Sequence, residues 1–138
     1  MDRTAADEAL LAVARMAMDA SVRAADDLGE LSPVQLRALT GLRHAEGTNL
    51  AGLAEDMGVT VSTASRLVDR LVSAEWVNRR PSPHNGREIS LSLTEAGASL
   101  LRRFDDRRLL RLRDYLARVA PERQGVVVEA LSELAARV

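Results

Sequence analysis

The side chains best suited to chemistry are arginines set beside small hydroxyl residues. Arg66 and Arg70 stand one helical turn apart, in a run that also holds Thr60, Ser62, Thr63 and Ser65. Arg79, Arg80, His84 and Arg87 follow, around the turn-forming stretch Pro81-Ser82-Pro83-His84-Asn85-Gly86. A guanidinium is a planar fork that pairs with phosphate or carboxylate and can reach a base edge. Short hydroxyl side chains let a helix approach a polyanion closely. No comparable set suits catalysis. There is no cysteine, which removes a thiolate nucleophile, a thiol switch and a cysteine zinc site. His44 and His84 are far apart in sequence and supply only part of a metal site. No Walker loop, GxGxxG turn or GxSxG elbow occurs, so no catalytic residue, metal or cofactor is implied.

The elements that must position these residues are legible in outline. Leu10, Val13, Ala14, Ala17, Met18 and Ser21 recur at helical spacing, and Gly29 stops that helix. Ser32-Pro33-Val34-Gln35 forms a capping box and starts a second helix, which runs to about Ala45 and is closed by Gly47. A short helix from about Leu50 to Met57, capped by Asn49, ends at Gly58. The next runs from Val61 to about Ala74, with Ala64, Leu67, Val68, Leu71 and Val72 on one side. Ser62, Thr63, Arg66, Asp69, Arg70 and Ser73 form its polar face. Trp76 to Arg80 and Glu88 to Leu93 read as two strands, with Asn85-Gly86 in the tip. Thr94 restarts a long helix reaching Val119, and Pro121 begins a last one.

A short helix, a tight turn and a polar-faced second helix form a helix-turn-helix signal. Its second helix would set its back in the core and present its polar face to a DNA groove. Alone, that helix would serve equally as an ordinary solvated face. The arginine-bearing hairpin shifts the reading to a winged helix-turn-helix, because an arginine on an extended loop can enter a narrow minor groove. The expected fold is therefore mainly α with a small β-hairpin wing. Residues 1–30 form an N-terminal dimerisation helix, 31–94 the DNA-binding unit and 95–138 the C-terminal dimerisation helices. The DNA-contact set is Thr60, Ser62, Thr63, Ser65, Arg66, Arg70, Arg79, Arg80, His84, Asn85 and Arg87, with Ser32 at the head of the preceding helix.

Composition qualifies this reading. The chain has 138 residues, is 46% hydrophobic and 28% charged, and carries a formal net charge of −1. That excludes a disordered chain and a disulfide scaffold. With 2% aromatics it lacks a stacking platform for single strands. All nineteen basic residues are arginine. Near neutrality alone argues against nucleic-acid binding, but the charge is unevenly spread. Residues 1–30 hold seven acids and three arginines, whereas residues 60–87 hold five arginines and two acids. The N-terminal run is acidic where a secretory signal is basic, and Arg15 and Asp19 interrupt it, so a cytoplasmic protein is expected.

The stretch LAEDMGVTVSTASRLVDRLVSAEWVNRR, the tip HNGRE and the return LSLTEAG resemble the MarR family of bacterial transcription regulators. The resemblance implies a homodimer on a pseudo-palindromic double-stranded operator, usually as a repressor, with recognition helices in major grooves and wing arginines in the minor groove. It also implies release of DNA by a small molecule, often an aromatic anion, bound between the DNA-binding and dimerisation regions. Two positions depart from the family pattern. Glu75 stands where a glycine is usual, and Asn85-Gly86-Arg87 replaces an Asp-x-Arg tip. Asn85 can still accept a hydrogen bond from the Arg87 guanidinium, without adding charge.

The terminal helices carry the expected dimer contacts. Leu101, Phe104, Leu112, Tyr115, Leu116 and Val119 form a stripe on the long helix. Leu10, Val13 and Ala17 on the first helix, and Val127, Leu131 and Leu134 on the last, offer matching faces. These stripes could pack within one chain or interlock between two. The resemblance favours the second, with the two heads spaced near one DNA turn. Arg102, Arg103, Arg107, Arg108, Arg111 and Arg113 are expected to pair with Asp105, Asp106, Asp114 or acids of the first helix. Arg108 interrupts the stripe. Its two candidate roles are to anchor an anionic effector and to meet a buried acid. A helical dimer of the same fold that binds protein instead of DNA is the competing function.

Overall fold

A computed structural model describes residues 2–137. Six helices and one hairpin follow in the order α1 (Ala5–Leu28), α2 (Pro33–His44), α3 (Leu50–Met57), α4 (Val61–Ser73), β1 (Val77–Pro81), β2 (Ile89–Leu93), α5 (Glu95–Ala117) and α6 (Pro121–Ala135). Local capping chemistry sets most boundaries. Thr4 and Ser32 each complete a reciprocal capping box, with Asp7 and Gln35. Asn49 and Thr94 cap α3 and α5 through their side-chain oxygens. Gly29 and Gly58 stop α1 and α3 in the left-handed conformation.

One core joins the elements. Leu36, Leu39 and Leu42 of α2, Leu53 and Met57 of α3, and Leu67, Val68 and Leu71 of α4 meet Val77 and Leu91 of the hairpin. Ala24 and Ala25 of α1 and Leu100, Leu101 and Phe104 of α5 complete it, so the first half of the long helix belongs to the core of the head. Val77 to Pro81 pairs antiparallel with Leu93 to Ile89. Beside the hairpin, Gly47 N–H donates to the Leu91 carbonyl at 3.0 Å, and Leu91 N–H donates to the Thr48 carbonyl at 2.8 Å. The α2–α3 link thus anchors the base of the wing.

Several sequence expectations need correction. β1 starts at Val77, not Trp76, because Glu75 takes a left-handed conformation (φ 63°) and the chain is still turning. α5 ends at Ala117, so Val119 lies beyond it. The expected stripe on α1 is not the face packed within the chain. Ala20, Ala24 and Ala25 are buried there, while Leu10, Val13 and Met18 are 42–68% exposed. Alanines let α5 come close, and close approach outweighs side-chain size in choosing the intrachain face. The stripe on α5 likewise divides: Leu101 and Phe104 are core, whereas Leu112, Tyr115 and Leu116 are half-buried.

Candidate nucleic-acid interface

The turn between α3 and α4 is set by backbone geometry. Gly58 closes α3 with φ 67°, Val59 N–H returns to the Ala54 carbonyl, and Thr60 caps α4. The Thr60 hydroxyl accepts from Thr63 N–H at 3.1 Å and lies 2.9 Å from the Thr63 hydroxyl. These two hydroxyls therefore define the first turn of α4. Ala64, Leu67, Val68 and Leu71 anchor its back. Ser62, Arg66, Asp69, Arg70 and Ser73 lie on the solvent face, and Ser65 is half-buried on a flank. Ser32 is exposed, but its side chain is engaged as the cap of α2.

The wing extends from the same side of the sequence that ends α4. Ser82 N–H donates to the Glu88 carbonyl at 2.8 Å and holds the neck of the tip. Asn85 Oδ1 accepts the backbone N–H of Arg87 at 3.1 Å, and Glu88 N–H bonds the Asn85 carbonyl at 3.0 Å. Asn85 therefore shapes the turn through the backbone; the expected bond to the Arg87 guanidinium is replaced by this one. His84 is exposed at the tip, its N–H on Ser82 Oγ at 3.3 Å.

The arginines of the head divide into two kinds. Arg79 reaches back to α4 and pairs with Asp69 at 2.5 Å, tying the wing to the helix. Arg66, Arg70, Arg80 and Arg87 are exposed and form no ion pair among the described residues. Because Arg79 and Asp69 cancel, the available positive charge rests on these four. Asp69 had no visible role in the sequence, since a partner ten residues away across a turn leaves no periodic signal.

Sequence reading also missed how the head is joined to α5. Thr94 N–H donates to the Trp76 carbonyl at 3.0 Å, while the Thr94 hydroxyl donates to the Glu75 carbonyl at 2.6 Å and accepts from Gly97 N–H at 3.0 Å. A Cβ on Gly97 would lie 2.2 Å from the Trp76 carbonyl oxygen. The Thr94-Glu95-Ala96-Gly97 run is thus a close backbone junction between α5 and the wing base. Arg43, in the last turn of α2, pairs at 2.6 Å with Asp105 of α5, which also pairs with Arg108. Partial burial pushes the Asp105 carboxyl up, but the bonds from Arg108 and Arg43 and their charges outweigh it and leave the group below its ordinary value.

Arg108 is held by Asp105, a partly exposed acid, and stacks 4.4 Å from the centroid of Phe104. It lines a cleft of about 700 Å³ between α1, α2, α3 and α5 that also contains Arg37, Thr40, His44 and one acid, Asp56. Of the other α5 arginines, Arg111 pairs with Asp27 of α1 and Arg103 with Glu30 just beyond it, as expected; Arg102 pairs instead with Glu95 of its own helix, and Arg107 and Arg113 form no ion pair among the described residues. A second, almost wholly apolar cleft of about 480 Å³ lies where α1, α5 and α6 diverge. Val13, Ala17, Leu112, Tyr115, Leu116, Val119, Val127 and Leu131 line it, and Leu10 and Leu134 are exposed outside it.

Comparison with known proteins gives concordant matches. Residues 31–89 match the family model described as MarR family. The HTH-type transcriptional regulator YfiV of Bacillus subtilis is 30% identical over 105 residues, covering 76% of this chain and 66% of that protein. The multiple antibiotic resistance protein MarR of Escherichia coli is 30% identical over 71 residues, covering 51% and 49%. The chain thus spans between half and two thirds of the length of these curated relatives. The crystal structure of RV1404 from Mycobacterium tuberculosis superposes with a TM-score of 0.81 at 30% identity, over 98% of this chain and 94% of that one.

Proposed function

The chain belongs to the MarR family of transcription regulators, and from that premise we propose that it binds a pseudo-palindromic double-stranded DNA operator as a homodimer. One observation carries this reading: four arginines without an ion pair among the described residues project from α4 and the wing of a chain that is otherwise acidic. α4 would enter the major groove, where Arg66 is placed for a base edge and Arg70 for phosphate. Arg80 and Arg87, with His84 beside them, would follow the minor groove and its flanking phosphates. Ser62 and Ser65 would supply hydroxyl contacts, with Thr60, Thr63 and Asn85 shaping the surfaces that bear them.

The dimer reading rests on α6. No residue of α6 is buried, and Val126, Val128, Leu131 and Leu134 are 44–60% exposed. Such a helix is marginal in isolation. A second copy would cover this face, the apolar cleft, and the free faces of α1 and α5. The cleft beside Arg108 suits a small aromatic or anionic effector whose binding releases a repressor from DNA. The protein would act in the cytoplasm; no helix among the described residues is long and apolar enough to cross a membrane.

The test is selection of duplexes from a random library, then titration of the best against salt. With three or four phosphate-seeking arginines per head, a dimer should give a slope of log K against log salt between about −5 and −7. Absence of enrichment, or binding insensitive to salt, would refute the reading and favour a protein partner.

A further inference from the structure

Val61, the first residue of α4, is 51% exposed. It sits on the flank between the buried stripe and the face bearing Ser62 and Arg66. No preceding helical turn covers it. Its neighbours in that turn, Thr60 and Thr63, have hydroxyls engaged with each other and with the cap. The leading edge of α4 therefore presents an apolar, branched side chain amid polar groups. Water at that spot gains nothing from a valine, whereas an apolar partner would. In the major groove, the apolar group offered by the bases is the C5-methyl of thymine. Residues at the start of a recognition helix are those that meet base edges.

We infer that Val61 is a specificity-determining residue that reads a thymine methyl in each operator half-site. The inference rests on the DNA-binding reading above and adds a named base to it. Its contribution is one methyl group removed from water against an isopropyl group, worth about fourfold in affinity for each half-site.

The test uses the full chain and the duplex recovered by selection. Each thymine is replaced in turn by deoxyuridine, which removes the methyl and keeps the hydrogen-bonding edge. Affinities are read by fluorescence anisotropy. The wild type should lose about fourfold when one thymine of a symmetry-related pair is changed, and about sixteenfold when both are changed. Val61→Ala, which keeps only a methyl set back from the groove, should show a clearly smaller deoxyuridine penalty than the wild type at that position, and its thermal unfolding should match the wild type because the side chain is half in solvent. A deoxyuridine penalty that persists undiminished in Val61→Ala, or no penalty at any position in the wild type, overturns the inference while leaving DNA binding intact. Failure of any duplex to enrich overturns the DNA-binding reading, and this inference with it.

Discussion

Asp105 is the acid through which α2 and α5 are electrostatically joined, and replacing it by asparagine isolates that connection. The carboxylate accepts from Arg43 at 2.6 Å and from Arg108 through its other oxygen. Its side chain is 32% exposed, and those of its partners 33% and 31%. A hydrogen bond to a charged group is worth about 1.5–3 kcal/mol when well shielded, and an exposed ion pair about 0.2–1 kcal/mol. One-third exposure places each pair near 1 kcal/mol, discounted for solvent screening. Asparagine keeps one acceptor and removes the charge, so the expected loss is about 1–2 kcal/mol, or roughly 3–6 °C in Tm at fixed protein concentration. The pH dependence follows from the lowered pKa in the folded state. Such a group contributes fully above its unfolded value of about 3.9, and loses its contribution as pH falls through the folded value. The difference between wild type and Asp105→Asn, measured by urea unfolding, should therefore be largest at neutral pH and shrink as pH falls below the unfolded value towards the lower folded one. A difference that is absent at pH 7, or unchanged at pH 3, would refute the assigned ion pairs.

Other substitutions probe the junctions around the wing. Glu75→Gly should raise stability by about 1 kcal/mol by relieving the left-handed backbone, whereas Glu75→Ala should give no gain in the same thermal assay. Gly97→Ala should destabilise by about 2–3 kcal/mol, because the added Cβ meets a backbone oxygen and α5 must shift; unchanged unfolding would mean that the junction is looser than described. Removing Asp69 and Arg79 singly and together should give a coupling energy of about 0.5–1 kcal/mol in a double-mutant cycle, and a coupling of zero would deny the wing tether. Arg87→Ala should weaken operator binding and reduce the salt slope by about 2 for a dimer, since each head would neutralise one phosphate fewer; equal affinity would remove Arg87 from the interface.

Short-range chemistry in the chain specified much of this protein. Ser32-Pro33-x-Gln35, Asn49, Gly58 and Thr94 place helix ends because a cap joins residues three or four apart, whatever surrounds them. The turn between α3 and α4, the polar face of α4 and the arginine-bearing hairpin were legible for the same reason, and with them the candidate interface. The departure at position 75 was visible too, since only a left-handed turn makes a glutamate there costly. Tertiary structure decided what depends on partners distant in sequence. It paired Arg79 of the wing with Asp69 of α4, tied Asp105 to Arg43 across 62 positions, and set Gly97 against the Trp76 carbonyl. It also chose the alanine face of α1 over the larger apolar stripe. Periodicity records which residues share a face, but not which face a neighbour approaches, and the free energy of an ion pair or a packed alanine exists only once that neighbour is in place.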